Sequence, residues 1–172
     1  MKYKERLQHA IQKSGSTLCI GLDPDVQRIP DIFRSADGDM LSACGRFCEA
    51  IIEHTHNYAA AYKPNLAFFE SLGPEGWLLY EQICNLVPKD KMVISDAKRG
   101  DIGNTSAHYA KAFWQGKNSD AITINPLMGL DSLEGFLNHE ERAVYALALT
   151  SNKSAQDFLF KPMKDGRMLA VH

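Results

Sequence analysis

Five short apolar runs punctuate the chain, and a polar residue or a proline closes each one. Residues 17–22 (TLCIGL) end at Asp23-Pro24, 59–63 (AAAYK) at Pro64, 91–95 (KMVIS) at Asp96, 121–124 (AITI) at Asn125-Pro126, and 143–149 (AVYALAL) at Thr150-Ser151-Asn152. Between them the apolar residues recur at helical spacing. Residues 2–13 read as an amphipathic helix stopped by Ser14-Gly15, and 40–57 as another with Leu41, Cys44, Phe47, Cys48 and Ile51 on one face. Residues 66–86 are mostly helical with a break at Gly73-Pro74, Asn104 or Thr105 can cap a helix reaching Gln115, and 131–138 look helical. Residues 166–172 read as the start of one more helix.

Strands alternating with helices predict a parallel sheet with helical crossovers. The runs are apolar throughout, as strands covered on both faces are. Two architectures fit, an open doubly wound sheet and a (β/α)8 barrel. No GxGxxG follows the first run, which speaks against the dinucleotide-binding open sheet. Asp23, Lys63, Asp96, Asn125 and Ser151 all fall at or just past a strand's C-terminal end. Both architectures place their sites there, so the pattern predicts a site more firmly than it predicts closure.

Composition removes several classes of function. The chain has 172 residues, enough for one domain with a core, and 45% of them are hydrophobic, which excludes a disordered polymer. Nineteen Lys+Arg against 21 Asp+Glu give a formal charge of −2, so no broad basic footprint for nucleic acid exists. No apolar run approaches the roughly 20 residues of a membrane helix. The opening MKYKERLQHAIQKSG has no apolar h-region, so a cytoplasmic chain with reduced thiols is expected. Cys44 and Cys48, four apart on a helix, read as buried thiols, because no CxxC or suitably spaced histidine completes a zinc site. No HExxH occurs, and no metal is expected.

The segment Asp96-Ala-Lys98-Arg-Gly-Asp101 carries the chemistry. If the strand continues two residues, Asp96 and Lys98 project to one side, and Gly100 then permits a turn that sends Asp101 elsewhere. With Lys63 from a neighbouring strand, these form an alternating array of Lys63, Asp96, Lys98 and Asp101. Carboxylates beside ammonium groups favour the charged forms against desolvation, so a cationic lysine can be held in a closed pocket as a proton donor. On spacing alone, DAKRGD reads equally well as a solvated surface loop. Arg99 reads as solvated or structural in either case.

The run 94–105 (ISDAKRGDIGNT) resembles the signature of the orotidine 5′-phosphate decarboxylase family, D-x-K-x-x-D-I with a threonine three residues later. The resemblance extends through CIGLDPD (19–25), YKPNLAFFE (62–70), NPLMGLDS (125–132) and LTSN (149–152), in the family's order and closest to its bacterial long-loop branch. It implies a (β/α)8 barrel, of which residues 1–172 are a single incomplete domain holding the first five to six βα units and lacking a C-terminal third. It also implies conversion of orotidine 5′-phosphate to UMP and carbon dioxide in pyrimidine biosynthesis, without metal or organic cofactor, in a homodimer with a shared site.

By that resemblance Lys98 donates the proton to C6, Asp96 sits beside the substrate carboxylate, and Lys63 bonds Asp96 and the ribose. Asp101 comes from the second subunit with Ile102 and Thr105, Asp23 binds a ribose hydroxyl, and Ser151 contacts the pyrimidine edge. Leu127 and Leu147 are candidates for apolar lining or for core packing. The chain departs from the pattern at Lys153-Ser154-Ala155, where many members have Pro-Gly, and no residue matches the family's phosphate arginine; Arg167 falls too early. The alternatives are a magnesium-dependent sugar-phosphate decarboxylase or synthase that shares D-x-K-x-x-D, a Schiff-base aldolase using Lys98, and a non-catalytic fragment. Lys63 disfavours the first, because those enzymes carry an acidic residue there, and the flanking carboxylates disfavour the second.

Overall fold

The computed structural model describes residues 1–36, 38–115 and 119–171. Strands β1 (Cys19–Leu22), β2 (Ala61–Pro64), β3 (Met92–Arg99), β4 (Ala121–Ile124) and β5 (Ala143–Ala146) form one sheet. All neighbours are parallel and follow sequence order from β1 to β5. A doubly wound sheet reverses its strand order at a switch point, whereas a barrel adds each strand on the same side of the last. The observed order is the barrel's.

Helix α1 (Tyr3–Ser14) precedes the sheet, and α2 (Met40–Thr55), α3 (Leu66–Glu70), α4 (Pro74–Leu86), α5 (Gly103–Trp114) and α6 (Glu134–Leu137) occupy the crossovers. The two-residue period of the strands divides the core into two layers. Tyr62, Val93, Ile122 and Ile124 face the helices and join Cys44, Cys48, Phe69, Tyr80, Ile83 and Phe113 in the larger cluster. Ala61, Met92, Ile94 and Ala121 face the other way and meet Tyr3, Leu7, Ala10 and Ile11 of α1. Helix α1 therefore covers the N-terminal part of the sheet's inner face, and the short side chains at 61 and 121 make room for it. Arg6 anchors it at 2.6 Å from the buried Asp120 carboxylate, whose other oxygen accepts the Val93 N–H at 2.8 Å.

The element boundaries differ from the sequence reading in instructive places. β3 runs on to Arg99, because it re-pairs with β4 beyond an irregularity. Helix α5 starts at Gly103 with Ile102 in the capping position, so neither Asn104 nor Thr105 caps it. The segment predicted as a final helix is a turn closed by an antiparallel bridge between Pro162 and Met168, then a 3-10 turn at Leu169–Val171; Arg167 there pairs with Asp165 at 2.7 Å. His172 lies outside the described residues. Cys44, Cys48 and Cys84 are buried, and burial pushes the Cys48 thiol up to about 12, so these thiols are core; Cys19 is exposed. No helix among the described residues is long and apolar enough to cross a membrane.

Gly76 shows packing overruling helix propensity. It sits inside α4, where alanine is ordinarily favoured by about 1 kcal/mol. A Cβ at this position would lie 1.9 Å from the Phe69 carbonyl oxygen of α3. Gly76→Ala is expected to destabilise the protein by about 1–3 kcal/mol, as overpacking does. Urea denaturation measures this, and a more stable variant would refute the close approach.

Candidate active site

The inner face of the sheet changes character along the strands. Ala61, Ile94 and Ala121 contribute to the apolar layer on α1, and two residues further on the same strands present Lys63, Asp96 and Thr123. Strand periodicity puts these side chains on the same face, nearer the C-terminal ends. The polar row therefore sits on an apolar floor.

Asp96 is its centre and is only 8% exposed. Its Oδ2 accepts the Lys63 ammonium at 2.8 Å, and its Oδ1 accepts Lys98 Nζ at 2.6 Å and the Thr123 hydroxyl at 2.9 Å. Burial pushes this carboxyl up, and the hydrogen bonds from Lys63, Lys98 and Thr123 more than reverse that, so it lies below its ordinary value of 3.8. Two ammonium groups on one carboxylate leave the cluster one positive charge in surplus, suited to an anionic ligand. The side chain of Lys98 is half exposed and that of Lys63 one-third exposed, so both open toward the mouth.

A bulge in β3 makes this convergence possible. Ser95 pairs with Ile122 and Arg99 with Ile124, so β3 takes four steps where β4 takes two. The extra residues lie among Asp96, Ala97 and Lys98, and Lys98 has φ of 49°. It is the one non-glycine residue at positive φ among the described residues, a conformation costing about 1–2 kcal/mol. The Lys98 side chain meets Asp96 as the sequence predicts, but through this left-handed turn of the backbone and not through regular strand alternation. The Thr123 hydroxyl accepts the N–H groups of both Ala97 and Lys98 at 3.0 Å.

A Cβ at Gly100 would lie 2.5 Å from the Asn125 carbonyl oxygen, so the glycine also serves close approach of the segments that follow β3 and β4. Arg99 points to the helix side, pairs with Glu70 and lies over the rings of Tyr109 (5.4 Å) and Phe113 (5.9 Å). It is a structural arginine.

The remaining predicted residues do not join the cluster within this chain. Asp101 accepts the Ile102 N–H at 2.7 Å, and among the described residues it makes no ion pair with Lys63 or Lys98. Ile102 is 65% exposed, and Thr105 is exposed on the first turn of α5. Asp23 is exposed after β1 and lines a cleft of about 330 Å³ with Asp25, Arg28, Ile29, Phe47 and Phe68. Ser151 is exposed on the loop after β5, where Thr150 donates to the Asn152 amide oxygen at 2.6 Å. Leu127 is 70% exposed and is not core. Among the described residues no group of three or more His, Cys, Asp or Glu is placed to hold a metal ion.

Thr123 was not singled out from sequence. Its signal is a hydroxyl in an otherwise apolar strand, at the same parity as Ala121.

Sequentially ordered parallel strands with alternating helices define a (β/α)8-barrel protein, the five strands match the barrel's first βα units, and the charged cluster sits at their C-terminal ends. The chain belongs to the orotidine 5′-phosphate decarboxylase / HUMPS family, whose model matches residues 16–167. It is 44% identical over 169 residues to an orotidine 5′-phosphate decarboxylase of Bacteroides fragilis, covering 96% of this chain and 60% of that protein. It is 40% identical over 158 residues to one of Dehalococcoides mccartyi, covering 92% of this chain and 55% of that protein. The solved OMP decarboxylase of Leishmania donovani superposes with a TM-score of 0.84 at 39% identity, covering 99% of this chain and 62% of that one. The chain thus spans about 60% of the length of the curated relatives it matches.

The Asp96 network carries a pH signature. A carboxyl held below its unfolded value contributes stability above the unfolded pKa, near 3.9, and loses it as pH falls through the native value. Asp96→Asn is expected to cost on the order of 1 kcal/mol at pH 7, a modest figure because solvent screens the partly exposed lysines. The gap to the parent should close below about pH 4. Denaturation at a series of pH values checks this; a gap independent of pH would contradict it.

Proposed function

We propose that this chain carries the decarboxylation centre of an orotidine 5′-phosphate decarboxylase, with Lys98 as the proton donor. The observation that carries the reading is the Lys98 ammonium held 2.6 Å from Asp96 Oδ1 while Lys63 occupies the other oxygen. Family membership and the decarboxylase relatives support it.

The chemistry follows from charge. Loss of carbon dioxide breaks the bond between C6 and the carboxylate carbon and leaves the electron pair on C6. With no conjugated electron sink for that pair, the barrier falls through fixed positive charge and prompt protonation, and an ammonium held beside C6 supplies both. The proton moves from Lys98 Nζ to C6, which leaves a neutral amine, UMP and carbon dioxide. Asp96 faces the substrate carboxylate and aims Lys98, while Lys63 bonds Asp96 and the ribose. Asp23 takes a ribose hydroxyl and Ser151 the pyrimidine edge. Ion pairing with Asp96 makes Lys98 a poor nucleophile, which disfavours Schiff-base chemistry.

We read the active protein as a homodimer in which Asp101, Ile102 and Thr105 reach the partner's site. Asp101 is not engaged by either site lysine in its own chain, and Ile102 is exposed. Leu127, Met128 and Leu130 are exposed nearby on the loop that Ser106 of α5 ties down through the Ser132 carbonyl. Exposed apolar side chains here support an interaction surface on this side of the chain. Residues 1–172 are read as part of one barrel domain of a cytoplasmic enzyme.

A spectrophotometric assay with orotidine 5′-phosphate tests the reading. Lys98→Ala is expected to lower turnover by more than about 10³-fold, combining lost acid and electrostatic catalysis, with the fold intact by circular dichroism. Near-parental turnover would remove Lys98 as donor. Mixed Lys98→Ala and Asp101→Ala subunits, each inactive alone, should recover about a quarter of parental activity, one site in four under random exchange across an isologous interface. No recovery despite proven exchange would place Asp101 in its own chain's site.

A further inference from the structure

Thr123 lies on β4, in a different strand from the signature that carries the lysine and both aspartates, yet its hydroxyl touches that signature three times. A hydroxyl has one proton to donate and two lone pairs to accept with. Both lone pairs are used by the N–H groups of Ala97 and Lys98, each at 3.0 Å. The one proton is thereby directed to Asp96 Oδ1, 2.9 Å away. Valence alone sets this direction.

We propose that Thr123 is a positioning residue for the decarboxylation centre: its hydroxyl holds the Lys98 backbone in its left-handed conformation and fixes the Asp96 carboxylate toward which the Lys98 ammonium is aimed. The kinetic part of this inference rests on the decarboxylase reading, and the geometric part does not. Two observations argue for a role beyond filling space. The β3 bulge shifts Ala97 and Lys98 out of register with β4, and the side chain of Thr123 receives both N–H groups. Lys98 is also the one non-glycine residue at positive φ among the described residues, so the strained residue and the proposed donor coincide. A strained backbone persists where its surroundings over-determine it, and these two hydrogen bonds do so. Branching at the threonine Cβ restricts χ1 and keeps the hydroxyl at this post.

Among the described residues, the charged groups that face Asp96 are Lys63 from β2 and Lys98 from β3. On the same sheet face β1 carries Cys19 and β5 carries Tyr145, whose hydroxyl meets that of Tyr3 from α1 at 2.7 Å. Removing the Thr123 hydroxyl takes one donor from the ionised carboxylate, which favours its protonated form.

The test compares the parent with Thr123→Val, Thr123→Ala and Thr123→Ser, the alanine serving if the valine variant does not fold. NMR first follows the Asp96 carboxyl carbon against pH and the amide exchange of Ala97 and Lys98, none of which requires turnover. Without the hydroxyl, the Asp96 midpoint should rise and both amides should exchange at least about 10-fold faster, while serine restores both. Kinetics with orotidine 5′-phosphate should then show kcat lowered about 10–100-fold with KM within about 3-fold, as a misplaced catalytic group gives. The acid limb of kcat should move to higher pH, and serine should recover most of the rate. An unchanged Asp96 titration with unchanged amide exchange overturns the inference, as does a hydroxyl-less variant with parental kcat and pH limb. A parent with the predicted NMR behaviour but no turnover overturns the decarboxylase reading alone and supports Thr123 as the holder of Lys98 and Asp96.

Discussion

A carboxylate removed from water at the end of β3 is the constraint around which this molecule is arranged. An ionised group that is 8% exposed is costly unless donors surround it. Asp96 meets this demand with an ammonium from β2, an ammonium from its own strand and a hydroxyl from β4. Those donors arrive only if β2, β3 and β4 are parallel neighbours in a particular register, so the sheet order and the charge network require each other. The same network concentrates one surplus positive charge at the strand ends, where an anionic substrate would enter.

The bulge in β3 reconciles two incompatible demands on one short segment. Regular pleating places alternate residues on opposite faces, which serves Asp96 on the inner face and Ala97 on the outer. Lys98 must also reach back to Asp96, and Arg99 must point outward to Glu70 and the rings of Tyr109 and Phe113. A left-handed residue at 98 satisfies both, and Thr123 supplies the hydrogen bonds that the disrupted ladder loses. Gly100 then lets β3 return to within contact of Asn125. Beneath this irregular rim the sheet is regular, and α1 packs on residues too small to obstruct it. Rigidity below and a specified distortion above are what holding an ammonium in one place against Asp96 needs.

Much of this was legible in the chain. Five apolar runs closed by polar residues predicted the parallel sheet and the end of it where the charged cluster sits, because strand length and period are local properties. The meeting of Lys63, Asp96 and Lys98 was legible too, since opposite charges at the ends of adjacent strands have few other partners. Boundaries that depend on neighbours were not. β3 runs past Ser95 because β4 re-pairs with Arg99, and the expected caps at Asn104 and Thr105 gave way because α5 begins at Gly103. The terminal segment's helical spacing yielded to a turn closed by the Pro162–Met168 bridge.

Taken by itself, then, the sequence determined the alternation of strands and helices, the polar residues at the strand ends and the family signature, all of which are encoded at short range. Tertiary structure decided the strand order that distinguishes a barrel from an open sheet, and it decided the register. Register brought Thr123 under the peptide groups of Ala97 and Lys98, a contact spanning about two dozen residues of chain. No local pattern encodes it, because the hydroxyl's three partners exist only once β3 has bulged against β4.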